Sequence, residues 1–259
     1  MKKIIALMLC VVLALGVLAG CGAANVETTE NAADAGEKRV ITAATNAEFP
    51  PFEYLEGEEM VGADIEIAEA IAEKLGAELE MSNIDFDAAL TGAATGKYDM
   101  AIAGITANDE REKNMNFSDD YYTASQAIIV NIDSEIEMAS DLEGKTVACQ
   151  EGTTGEQYLL DNEYAIQSFK TGAEAVSALT SGKVDAVVID NAVATALSAK
   201  QEGKTVVLPE ALTQEAYAIA IQLGNDEFTA EVNAALAELK ASGKLAEIFT
   251  KYELPYDAE

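Results

Sequence analysis

Two similar stretches define the architecture of this chain: GKYDMAIAG at residues 96–104 and GKVDAVVID at residues 182–190. Each follows an alanine-rich helical segment and consists of a Gly-Lys turn and a continuous apolar run. Such a run predicts a strand that is buried on both faces, as in a parallel sheet. The repeat therefore predicts two equivalent α/β lobes, with chance similarity between two ordinary helix-to-strand turns as the alternative.

Strands and helices also alternate upstream of the first copy. Residues 40–44 are a strand candidate, and residues 64–75 carry apolar side chains at helical spacing. Gly76 follows them, in the position of a C-terminal helix cap. This alternation predicts the α/β class.

The composition narrows the possible functions. The 259 residues include 46 acidic and 16 basic residues, for a formal charge of −30, and no histidine. A surface this acidic repels phosphate backbones, so no nucleic-acid partner is expected. The lack of histidine excludes Ser-His-Asp and Cys-His catalysis as well as histidine-ligated metal sites. We expect no cofactor, no metal and no enzyme activity.

The N-terminus has the pattern of a targeting segment. A basic pair at residues 2–3 precedes an apolar run at residues 4–18, and LAGC at residues 18–21 resembles a bacterial lipobox. The resemblance implies that residues 1–20 are a lipoprotein signal peptide and that Cys21 is lipidated. The alternative is an uncleaved membrane anchor, but the run is shorter than the roughly 20 residues that a span needs.

The segment after the lipobox is small and polar. Residues 21–38 have no hydrophobic period and predict a flexible tether. The folded part is therefore expected to be extracytoplasmic and held to a membrane by a lipid anchor.

Polar groups follow the two repeated strands. The first strand leads to Gly104 and Thr106 and the second ends at Asp190, and ligands of α/β sheets bind at such strand ends. Arg111, one of two arginines in the chain, follows shortly after and suits bidentate capture of a carboxylate. The alternative is a surface arginine paired with the acidic residues before it.

Two further segments are candidates for the same site. QEGTTG at residues 150–155 opens a helix, whose free N–H groups attract anions, although Gly and Thr are also ordinary capping residues there. TNAEFPPFEY at residues 45–54 either forms a rigid aromatic wall or a local hydrophobic plug.

Several motifs in register give a family resemblance. They are TNAEFPPFEY at 45–54, VGADIEIAEAIAEKLG at 61–76, AIAGITANDEREKNMNFSDDYY at 101–122, GKTVACQEGTTG at 144–155 and GKVDAVVIDN at 182–191. Together they resemble the family 3 bacterial solute-binding proteins over residues 39–253. That family includes the glutamine-, histidine-, arginine- and lysine/ornithine-binding proteins of ABC importers.

The resemblance implies a two-lobed periplasmic-binding-protein fold of type II. In it two α/β lobes are joined by two crossover strands, here near residues 121–125 and 214–218. Lobe 1 would then comprise residues 39–122 and 218–255, and lobe 2 residues 123–217.

The resemblance also implies a clamp for a zwitterion. Arg111 would hold the ligand α-carboxylate with the N–H groups of Thr106 and Thr154. Asp190 would bind the α-ammonium, with the Gly104 carbonyl and the Thr106 hydroxyl as further acceptors. The full set of implied ligand-binding residues is Asn46, Glu48, Phe49, Phe86, Ala103, Gly104, Thr106, Arg111, Gln150, Thr153, Thr154 and Asp190.

The side-chain pocket is implied in the same way. Phe49 and Phe86 match the aromatic residues that sandwich the ligand side chain, with Phe52 packed beneath them. Asn46 stands where relatives that bind cationic side chains often have Asp, so Glu48 or Glu151 would supply the negative charge instead. These features favour arginine slightly over glutamine.

The expected function is that of the substrate-binding component of an amino-acid ABC importer, a monomer that delivers its amino acid to membrane permease subunits. One alternative is a cleft enzyme similar to cyclohexadienyl dehydratase, with Glu48 or Glu151 as its acid or base. The other is a ligand-sensing module. The tether and lipobox favour the transport protein.

Overall fold

Within residues 38–256 the strands form two five-stranded sheets and two smaller ones. The structure, a computed structural model, describes residues 38–256. The strands are β1 Val40–Thr45, β2 Glu48–Phe49, β3 Glu53–Glu56, β4 Glu59–Val61, β5 Glu78–Asn83, β6 Met100–Ala101, β7 Met115–Phe117, β8 Tyr122–Ala124, β9 Gln126–Asn131, β10 Thr146–Gln150, β11 Ala165–Phe169, β12 Ala186–Asp190, β13 Thr205–Val207, β14 Glu215–Tyr217 and β15 Ala220–Gln222.

Seven α-helices cover the sheets within this part of the chain. They are α1 Ala63–Lys74, α2 Phe86–Ala94, α3 Thr154–Asp161, α4 Gly172–Thr180, α5 Asn191–Ala199, α6 Asp226–Ala241 and α7 Lys244–Lys251. Short 3₁₀ turns occur at Arg111–Lys113 and Ala139–Leu142.

The two large sheets define two lobes. The first has the strand order β5-β1-β6-β15-β7 and the second the order β11-β10-β12-β9-β13. Two crossover strands, β8 and β14, pair antiparallel with each other and connect the lobes. The predicted two-lobed α/β fold is confirmed. The residue boundaries proposed for the lobes stay a prediction.

The repeated stretches occupy equivalent places in the two sheets. The first supplies β6 after α2, and the second supplies β12 after α4. Both turns contain a glycine with positive φ, at Gly96 (70°) and Gly182 (71°).

The prediction of parallel sheets was wrong, because both sheets are mixed. β6 pairs parallel with β1 and antiparallel with β15. β12 likewise pairs parallel with β10 and antiparallel with β9. The reason is the connectivity: β9 and β15 each follow a crossover strand directly, so they enter their sheets in the opposite direction.

Helix α1 shows how the apolar period becomes packing. Its residues Ile65, Ala68, Ile71 and Ala72 are buried, and they lie on one face. The helix ends where expected, since Gly76 adopts φ 65°.

The predicted signal peptide, the lipidated Cys21 and the tether up to residue 37 lie outside the described residues. Within residues 38–256, no helix is both long enough and apolar enough to cross a bilayer.

Candidate ligand-binding site

A small cavity lies between the two lobes at the carboxyl ends of their central strands. It is lined by Asn46, Phe49, Glu53, Phe86, Ala103, Gly104, Thr106, Arg111, Gln150, Thr153, Thr154 and Asp190. Every residue implied by the family motifs except Glu48 lines this cavity, and Glu53 lines it in addition. Gln150 Nε2 donates to Asn46 Oδ1 at 3.1 Å, which joins the lobes at one end.

Arg111 joins the lobes a second time. It begins a 3₁₀ turn after β6, and its Nη1 donates to the Thr106 carbonyl at 2.8 Å. Its Nη2 donates to the Gly152 carbonyl of the second lobe at 3.0 Å. No carboxylate of the described residues lies within ion-pair distance of Arg111. Burial of the guanidinium lowers its pKa. The alternative of a surface ion pair with its acidic neighbours is therefore not what the structure shows.

Asp190 provides the opposite charge. It is the last residue of β12 and is 4% exposed. Its Oδ1 accepts a hydrogen bond from the Tyr217 hydroxyl at 2.5 Å. Burial, together with the nearby charge of Glu215, raises the pKa of Asp190 to about 7. No Lys or Arg of the described residues forms an ion pair with it.

The start of α3 faces the same cavity. Thr153 caps the helix, accepting from the Glu156 N–H at 3.2 Å. The N–H groups of the first turn have no partner inside a helix, so the N–H of Thr154 suits an anion. Thr153 thus has the predicted capping role, whereas the anion site at the free N–H groups stays a prediction.

The aromatic residues occupy two places. Phe49 and Phe86 line the cavity, and the Arg111 guanidinium lies 5.5 Å from the Phe86 ring centroid. Phe52 is fully buried, with its ring centroid 5.0 Å from that of Tyr122. The loop therefore forms both a wall of the cavity and a hydrophobic plug beneath it.

Gly104 is held at the floor of the cavity by a buried acid. It has φ 55°, and its N–H donates to Asp64 Oδ2 at 2.8 Å. The same oxygen accepts from the Tyr121 hydroxyl at 2.8 Å. Burial raises the pKa of Asp64 to about 6.

Glu53 is the cavity residue that the sequence interpretation missed. It is fully buried, and its carboxyl group faces that of Asp64, with which it forms a hydrogen bond when one of the two is protonated. Burial and the neighbouring Asp64 carboxyl raise the pKa of Glu53 well above its usual range, which favours the protonated form of this acid. The sequence carries no signal for this position, because burial in β3 falls from Glu53 to the exposed Leu55 and Glu56 without alternating.

Two predicted acidic residues lie away from the cavity. Glu48 is exposed, because it alternates in β2 with the buried Phe49. Glu151 forms a surface ion pair with Lys170 at 2.7 Å. The structure brings neither carboxylate to the ligand space.

The geometry defines the class of protein. Two α/β lobes joined by two crossover strands enclose a small polar cavity, and a buried cation and a buried carboxylate face it. This is the arrangement of a two-lobed binding protein that encloses a small ligand. The chain belongs to the bacterial extracellular solute-binding proteins, family 3, whose family model matches residues 41–255.

Similar proteins support the same assignment. The "Arginine-binding extracellular protein ArtP" of Bacillus subtilis (strain 168) is 33% identical over 91% of this chain and 92% of its own length. The "ABC transporter glutamine-binding protein GlnH" of the same organism is 31% identical over 97% of this chain and 96% of its own length. The solved arginine-, lysine-, histidine-binding protein ArtJ from Geobacillus stearothermophilus is 34% identical, with a TM-score of 0.78 over 83% of this chain and 95% of that one.

Proposed function

We propose that this protein is the substrate-binding component of an amino-acid ABC importer and that it encloses a polar amino acid between its lobes. One observation carries the proposal: Arg111 and Asp190 line the same cavity, carry opposite charges and have no ion-pair partner among the described residues.

Unpaired charges at such a site are costly, because burial removes their hydration. A zwitterion supplies both missing partners at once, with its carboxylate at Arg111 and its ammonium at Asp190. The N–H of Thr154 and the carbonyl of Gly104 add a neutral donor and a neutral acceptor. The site is thus complementary to the common part of every α-amino acid.

The rest of the cavity favours arginine over glutamine as the ligand. One buried acceptor atom without a partner among the described residues, Gln150 Oε1, remains in the lining. A guanidinium has five N–H donors and no acceptor, whereas a carboxamide brings two donors and one acceptor. The arginine-binding relatives are consistent with this preference.

Calorimetry of the delipidated protein, stripped of bound ligand, against the common amino acids tests the proposal. We expect arginine to bind most tightly, followed by glutamine. Glutamate or a branched aliphatic amino acid outcompeting both would contradict the pocket assignment while leaving the transport role in place. Formation of product from prephenate or arogenate would instead favour the enzyme alternative.

The lipobox supports a second part of the proposal. A protein that delivers its ligand to a permease works beside the membrane, and we propose that lipid on Cys21 anchors this protein there. We also propose that the protein is a monomer. Metabolic labelling with a palmitate analogue should mark the wild type and not the Cys21→Ala variant. Label in that variant would disprove the anchor.

A further inference from the structure

A carboxylate on a crossover strand connects the two lobes behind the cavity. Glu215 lies on β14 and is half-buried. Its Oε2 accepts the hydroxyl hydrogens of Thr106 at 2.6 Å and Thr154 at 2.7 Å. Its Oε1 accepts from the Thr213 hydroxyl at 2.6 Å. One oxygen atom therefore binds a residue from each lobe.

Both threonines that Glu215 holds line the cavity. A hydroxyl has one hydrogen and two acceptor lone pairs. Since the hydrogen of Thr106 is directed to Glu215, the oxygen presents only lone pairs to any other partner. Thr154 also accepts from Gln126 Nε2 at 3.2 Å, which holds its side chain at the start of α3.

We propose that Glu215 is a positioning residue, which fastens the lobes together through Thr106 and Thr154 and makes the Thr106 hydroxyl an acceptor for the ligand ammonium. This inference rests on the proposed function, because it assigns the partner of that hydroxyl. An ammonium has three donors and no acceptor, so it requires the polarity that Glu215 imposes.

Glu215 also acts through its charge, and the two effects are separable. Its negative charge contributes to the raised pKa of Asp190. Glu215→Gln removes the charge but keeps an oxygen for the two threonine hydroxyls, while its amide N–H meets the Thr213 oxygen. Glu215→Ala removes both the charge and the hydrogen bonds.

Arginine binding by the full chain, measured by calorimetry with dissociation rates from stopped flow, tests the proposal. Positioning predicts that Glu215→Gln binds within about threefold of wild type and that Glu215→Ala loses at least about tenfold, mostly through faster dissociation. In a Thr106→Val/Thr154→Val background, Glu215→Ala should reduce arginine affinity by less than about twofold, because the two hydroxyls that Glu215 binds are absent. Glu137→Ala, at an exposed site of the second lobe, is the matched control.

Each other outcome has a distinct meaning. Equal losses for Glu215→Gln and Glu215→Ala, or an undiminished loss in the double-valine background, would overturn positioning in favour of charge. If the wild type binds arginine and Glu215→Ala reduces that affinity by less than about threefold, the role assigned to Glu215 is overturned while the proposed function stands. A wild type that binds none of the common amino acids overturns the proposed function and this inference with it.

Discussion

The two copies of the repeat use the same local structure for different chemistry. In the first lobe β6 leads to Gly104, which contributes backbone atoms held at φ 55°. In the second lobe β12 ends at Asp190, which contributes a buried carboxylate. A helix, a Gly-Lys turn and a buried strand therefore build the scaffold in both lobes, while the residue at the end of the strand sets the chemistry.

The difference has a consequence for mutations. A side-chain charge is lost by a single substitution that leaves the lobe intact. A backbone group is lost only when the backbone itself moves, so the first copy should respond to steric change and the second to charge.

The largest effect is expected from removing a charge. Asp190→Ala or Arg111→Ala leaves a ligand charge unpaired in a desolvated cavity, at a cost of about 2 to 5 kcal/mol. Calorimetry should show arginine affinity reduced by roughly 30-fold to several thousand-fold. Arg39→Ala, which removes the surface pair with Glu231 and a cation–π contact with Phe228, is the control and should bind normally. Binding within about threefold of wild type by either cavity variant would refute the clamp.

A smaller effect is expected from steric change at the first copy. In Gly104→Ala the new Cβ would lie 2.8 Å from Phe49 Cε1 at a positive φ. We expect the free energy of unfolding to fall by about 1 to 3 kcal/mol and arginine affinity to fall by about tenfold. Gly182→Ala also has positive φ, but no atom lies within 4 Å of the added carbon. It should lose stability in urea unfolding while keeping full affinity; equal affinity losses in both variants would contradict this contrast.

A further effect comes from protonation of Asp190, at the end of the second copy. The Asp190 pKa is raised to about 7 in the absence of a cationic partner, and only the ionised form pairs with an ammonium. A ligand cation lowers that pKa, so binding releases a proton and affinity rises with pH. Between pH 6 and pH 8 arginine affinity should increase about tenfold, in proportion to the ionised fraction.

Titration calorimetry in buffers of different ionisation enthalpy measures that proton release directly. Asp190→Asn, studied at millimolar arginine, should bind weakly and with little dependence on pH over this range. If the arginine affinity of the wild type falls from pH 6 to pH 8, the predicted direction of the pH dependence is wrong.

The smallest effect is expected for the acidic residues outside the cavity. Glu48→Gln and Glu151→Gln change exposed charges that solvent screens, so arginine affinity should stay within about twofold of wild type. Competition binding at two salt concentrations measures both the size of the affinity change and how strongly salt screens it. A loss above about fivefold that persists in high salt would show that one of them reaches the ligand.

The cavity lining was largely predictable, because some of its residues follow strand ends and the family motifs imply the others. Gly104, Thr106, Arg111 and Asp190 each lie just after a buried apolar run, and such runs are visible in the sequence. Glu53 was not predicted, since it is a charged residue at the start of a strand whose next apolar residue on that face, Leu55, is exposed. Alternation in β2 is what places Glu48 outside the site.

The amino-acid sequence by itself determined the α/β class, the repeated helix-turn-strand unit and the family, because these depend on local period, turn residues and motif order. Only the tertiary structure decided the mixed sheets, the presence of Glu53 and absence of Glu48 in the cavity lining, and the contacts of Glu215. Those depend on contacts between distant residues, such as Glu215 with Thr106 and Thr154. Local patterns carry no information about such contacts, because the direction of each side chain is set only when the lobes pack together.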